Sequence, residues 1–159
     1  VPSGSTLLNL ACSDNPHGAY GLGKIVTLPG TSSAGKTLLM LTTFAEAHKL
    51  ERLNEHEFIY DDVEAALEFD LQYLFGHGVA ERIQEPPQGC SDTIEHFKSN
   101  IITLAEKGKP FIYCLDSFDA LSSDAELEKE MRKALAMAKS EEAAKKIAGS
   151  FGTEKAKIA

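Results

Sequence analysis

Residues 30–37 read Gly-Thr-Ser-Ser-Ala-Gly-Lys-Thr, a complete G-x-x-x-x-G-K-[ST] pattern, and this stretch constrains the fold more than any other. Gly30 and Gly35 allow the backbone to curl so that the N–H groups of Thr31, Ser32, Ser33 and Ala34 turn inward toward phosphate oxygens. Lys36 adds a positive charge near the β- and γ-phosphates, and Thr37 offers a hydroxyl to magnesium. The pattern is expected after a strand and at the start of a helix, because the helix directs the positive end of its dipole at the same anion. Both flanks fit. Lys24 to Leu28 (KIVTL) is a short β-branched run expected as a buried strand, and Lys36 to Leu50 has helical spacing. A merely flexible Gly/Ser surface loop is the alternative, and that placement argues against it.

The rest of the chain alternates in the same manner. Thr6 to Ala11 has helical spacing and leads into a turn-rich stretch, Ser13 to Gly23. Glu57 to Asp61 predicts a second strand, Glu64 to Phe75 a helix closed by Gly76-His77-Gly78, and Val79 to Gln84 a short strand. After the Pro86–Gly89 loop, Ile94, Phe97, Ile101 and Leu104 recur at helical spacing within 92–107. Phe111 to Leu115 is a third apolar strand, and Ala125 to about Ile147 is rich in strong helix formers. Strands alternating with helices imply an α/β fold: one domain over 1–159 with a mostly parallel β-sheet flanked by helices on both faces.

Composition narrows the function classes. A formal net charge of −8 argues against coating nucleic acid by bulk electrostatics, so any DNA contact has to come from a local segment. No apolar run approaches the roughly 20 residues of a membrane span, and the start is not a signal peptide. Three cysteines at no metal-like spacing fit structural thiols in a reducing, cytoplasmic compartment. The five histidines are scattered and form no ligand pair with metal spacing. The chain does not begin with methionine, and Thr153 to Ala159 reads as a helix cut short, as expected of a fragment.

A triphosphate site needs a carboxylate to hold its metal. Asp116 ends the apolar run Phe111–Leu115, which brings it to the carboxyl edge of a parallel sheet beside the phosphate loop. Its alternative role is to cap the next turn. Hydrolysis also needs a group to orient or deprotonate water. Asp61, Asp62 and Glu64 cluster at the end of the second strand, and periodicity does not choose among them. Two of the three could equally be N-cap and first-turn acids of the following helix.

With these residues in place, the chain resembles bacterial and phage RecA-type recombinases over most of its length. The resemblance is carried by Val1-Pro2-Ser3-Gly4-Ser5, Leu8–Ala11, Gly21–Val26, the serine-rich phosphate loop, Asp62–Leu67, Glu85-Pro86-Pro87 with Thr93-Ile94-Glu95, and Leu115–Leu121. It implies a P-loop NTPase with a RecA-like core that binds ATP and Mg2+. Glu64 would activate water, with Asp62 in reserve, and Asp70 and Tyr73 would lie near the adenine. Tyr73 is equally compatible with a half-buried helix position. The resemblance further implies a DNA-dependent ATPase that self-associates into filaments on single-stranded DNA and pairs it with homologous duplex DNA. Gly149–Thr153 occupies the place of a DNA-facing loop. The second DNA loop, and the amino-terminal segment with which filament neighbours dock, are expected outside this chain. Five lysines against three glutamates over 139–159 give a weak basic patch or a solvated helix face. Two other readings share the pocket: a hexameric helicase or motor of the same fold, and a nucleotide-binding regulator without efficient hydrolysis.

Overall fold

The computed structural model describes residues 1–137, with side-chain environments through residue 130. The expectations for the end of the Ala125–Ile147 helix, the Gly149–Thr153 loop and the 139–159 tail lie outside the described residues. In chain order the elements are α1 (Thr6–Ser13), α2 (Lys36–His48), β1 (Glu57–Asp62), α3 (Leu71–Phe75), α4 (His77–Arg82), β2 (Ile83–Gln84), α5 (Ile94–Glu106), β3 (Phe111–Asp116) and α6 (Asp124–Met137). No helix among the described residues is long and apolar enough to cross a membrane.

The three strands form a parallel sheet in the order β2-β1-β3. β1 pairs with β3 over its whole length, from Glu57 opposite Phe111 to Asp62 opposite Asp116. Alternation along β1 sends its side chains to two different layers. Phe58 and Tyr60, with Ile112 and Cys114 of β3, join Leu41, Phe44 and Ala47 of α2 in one apolar cluster. Phe44 and Phe58 are fully buried and stack at 5.2 Å between centroids, worth about 2–3 kcal/mol per ring by area. On the opposite face Tyr113 meets Phe97 of α5 edge-on at 5.6 Å. Helices therefore cover both faces, as alternating strands and helices require.

The turn that feeds β1 is clamped by Arg82. Its guanidinium lies 3.9 Å over the Phe58 ring and donates to the carbonyls of Leu53 and His56 at 2.9 and 3.1 Å. Three turn carbonyls, counting Asn54 at 3.3 Å, are thus satisfied by one planar cation.

The expected Lys24–Leu28 strand does not form. Ile25 is 99% exposed, and the segment pairs with no strand among the described residues. A β-branched run becomes a strand only where it joins a ladder, and this one adds to neither outer edge of the β2-β1-β3 sheet. The expected Glu64–Phe75 helix shrinks to Leu71–Phe75. Ala65 sits at φ 49°, and the Asp62 carboxylate accepts from the N–H groups of Ala66 and Leu67 at 3.2 and 2.9 Å, which holds a turn in place of a helix. The expected Val79–Gln84 strand is mostly helix α4, with only Ile83 and Gln84 in the sheet. Its apolar residues are too few to distinguish the two by period.

Candidate functional site

The phosphate loop lies at the amino end of α2. Gly35 is the N-cap at φ 85°, a conformation that a side chain would strain, and no side chain caps the helix. The first N–H groups of α2 therefore remain available to an anion. Residues 30–35 are exposed, whereas Lys36 and Thr37 are half-buried. The Lys36 ammonium folds back over the loop and donates to the carbonyls of Gly30 and Thr31 at 3.0 and 2.9 Å. Its charge thus sits above the curl, within reach of whatever the curl holds.

Across the sheet edge, Thr37 Oγ1 donates to Asp116 Oδ2 at 2.5 Å, joining groups 79 residues apart. The same oxygen accepts the Tyr60 hydroxyl at 2.9 Å. A threonine hydroxyl has one proton and two lone pairs. Because Thr37 directs the proton to Asp116, the lone pairs stay free for a cation. Magnesium prefers hard oxygen ligands and is held by one or two protein groups plus phosphates and water. The donor set fits. Among the described residues no group of three or more His, Cys, Asp or Glu could hold a metal by itself.

The three clustered acids have separate surroundings. Asp61 is fully buried and accepts from Ser91 N, Ser91 Oγ and Tyr113 Oη at 2.7, 2.6 and 2.5 Å. Asn100 extends this network by donating to Ser91 Oγ at 3.2 Å and to the Gly89 carbonyl at 3.0 Å. The Asp62 carboxylate is occupied by backbone N–H groups, as described above. Glu64 is exposed, and its Oε1 accepts from Ser117 Oγ at 2.9 Å, next in sequence to Asp116. Asp70 caps α3 by accepting from Tyr73 N at 2.9 Å. Tyr73 is 86% exposed, not half-buried.

Sequence reasoning missed Tyr60, Ser117 and the Asp61 network. The signal for Tyr60 was a polar-tipped aromatic on an otherwise apolar strand, two residues before its terminal acid. Burial, then the bond to Asp116, push the Tyr60 phenol well above its ordinary range, so it stays protonated and donates. Burial, then Asp61, do the same to Tyr113. The Cys114 thiol is pushed up to about 12, chiefly by burial and then by Asp116, which favours its protonated form. A concavity of about 250 Å³ behind this edge is lined by Tyr60, Asp62, Leu67, Leu71, Ile83 and Cys90 among others, and includes no phosphate-loop residue. Within the exposed loop the Ala34 N–H donates to the Thr31 carbonyl at 3.3 Å.

Comparison with known proteins identifies the family. The family model described as the RecA N-terminal domain matches residues 1–158. Among similar proteins is Protein RecA of Oceanobacillus iheyensis, 34% identical over 131 residues, which cover 82% of this chain and 35% of that protein. Protein RecA of Thermus thermophilus shows the same identity and coverage. Protein RecA of Petrotoga mobilis is 30% identical over 162 residues, covering 98% of this chain and 40% of the relative. The chain thus spans little more than a third of the length of these relatives. No solved structure matches it. With almost its entire length matched by one family model, the chain belongs to the RecA family.

Proposed function

We propose that this chain is the nucleotide-binding part of an ATP-dependent DNA recombinase, and that Gly30–Thr37 and Asp116 hold ATP with Mg2+. The observation that carries this reading is the 2.5 Å bond between Thr37 Oγ1 and Asp116 Oδ2 at the carboxyl edge of the sheet. The main-chain amides of 31–37 would bind the triphosphate, and Lys36 would move from its loop carbonyls to the β- and γ-phosphates. Bound magnesium would neutralise charge developing on the transferred phosphoryl group. Glu64 is the exposed acid on this edge and is assigned to accept a proton from the attacking water, since Asp61 and Asp62 are committed to other donors. Asp70 and Tyr73 lie on the exposed start of α3, where the tyrosine ring is free to stack on a base.

In the complete protein this site would act as the switch for filaments on single-stranded DNA, paired with homologous duplex. A chain of net charge −8 requires that its DNA contacts be local. The test is ATP turnover by the complete protein with and without single-stranded DNA, together with electron microscopy. Stimulated turnover and open filaments are expected. Closed rings would point to a helicase-type motor, and tight ATP binding with no turnover, unaltered by Glu64→Gln, to a nucleotide-binding regulator.

A further inference from the structure

Tyr60 is fixed on a strand that has no need of a hydroxyl. The ring is 4% exposed and belongs to the apolar cluster beneath α2, where a phenylalanine would fill the same space. Yet its hydroxyl reaches Asp116 Oδ2 at 2.9 Å, the oxygen that also takes the Thr37 hydroxyl. We infer that Tyr60 is a positioning residue for the metal site: it acts through Asp116, by fixing which way the carboxylate faces.

An aspartate turns about two side-chain torsions, and a single bond from Thr37 leaves it free to pivot. A second donor on the same oxygen, arriving from a strand paired with β3 along its whole length, removes that freedom. Both hydroxyls converge on Oδ2, so Oδ1 is left for a cation or its water, and no described donor reaches it. Groups that orient a metal-binding side chain typically contribute about 10- to 100-fold to metal affinity. Because Thr37 already supplies one bond, the lower end of that range is expected here. The inference rests on the proposed reading of the site, in which Asp116 and Thr37 serve magnesium.

The test uses the complete protein, a fluorescent ATP analogue and titration with magnesium chloride. Tyr60→Phe should raise the magnesium concentration at half-saturation about tenfold, with analogue binding in EDTA unchanged and the metal-free unfolding midpoint little moved. Asp116→Asn is the reference for the site itself. If Asp116→Asn shifts the magnesium dependence and Tyr60→Phe does not, or tightens it, the positioning role is overturned while the site stands. If Tyr60→Phe weakens binding equally with and without magnesium, the hydroxyl acts on the fold and the inference fails. If nucleotide binding by the unaltered protein and by Asp116→Asn is indifferent to magnesium, the reading of the site fails and the inference with it.

Discussion

Two apolar runs of similar composition meet different fates in this chain. Phe111–Leu115 becomes a strand bonded to β1 at every position, while Lys24–Leu28 stays irregular, with Ile25 99% exposed. Both carry the β-branched and apolar residues that favour extended backbone. They differ in what lies beside them. Phe111–Leu115 has β1 along one edge, Phe97 against Tyr113 on one face, and the cluster of α2 on the other. Lys24–Leu28 has no ladder partner among the described residues. Strand propensity is thus a readiness that only a neighbouring strand converts into structure.

The comparison can be broken most forcefully at Phe58, on which the β1 side of the ladder is packed. Phe58→Ala removes a fully buried ring that stacks on Phe44 and lies beneath Arg82, and should cost about 3–5 kcal/mol in urea unfolding. A loss below about 1 kcal/mol would mean that this core is not what supports the sheet. Asp61→Ala comes next, at about 2–4 kcal/mol, since it orphans Tyr113 Oη and both donors of Ser91. Asp61→Asn keeps one acceptor and should cost less.

A smaller effect is expected from pH. The pKa of His56, at the foot of β1, is lowered, first by burial and then by the nearby Arg82 charge. The unfolded chain therefore binds this proton at a higher pH than the folded one. The folded state should lose stability as pH falls below about 6.5, the ordinary histidine value. The loss should level off once pH passes below the folded pKa. His56→Gln should flatten that part of the stability profile, and an unaltered slope would reject the assignment. The smallest change belongs to Ile25→Ala, within about 0.5 kcal/mol. If it cost several times that amount, the Lys24–Leu28 run would be packed after all and the contrast would vanish.

Much of this was legible beforehand because the signals were local or strongly periodic. The start of α2 at Lys36, strands β1 and β3, and α5 lie close to where motif and spacing place them. The meeting of Thr37 with Asp116 followed from an acid at the end of an apolar parallel strand. What was not legible depends on side chains that override the backbone pattern. Ala65 at positive φ and the Asp62 carboxylate end a helical reading that composition alone supports. The separate surroundings of Asp61, Asp62 and Glu64 are set by Ser91, Tyr113 and Ser117, residues distant in sequence that no spacing rule connects to them.

The most direct measurement is a structure of the complete protein with magnesium and a non-hydrolysable ATP analogue. Triphosphate oxygens should rest on the amides of residues 31–37, with the Lys36 ammonium swung from the Gly30 and Thr31 carbonyls onto the phosphates. The metal should bind the Thr37 hydroxyl, with Asp116 on the metal or on one of its waters. A nucleotide seated elsewhere, or a metal whose ligands and water shell exclude both Thr37 and Asp116, would contradict the account.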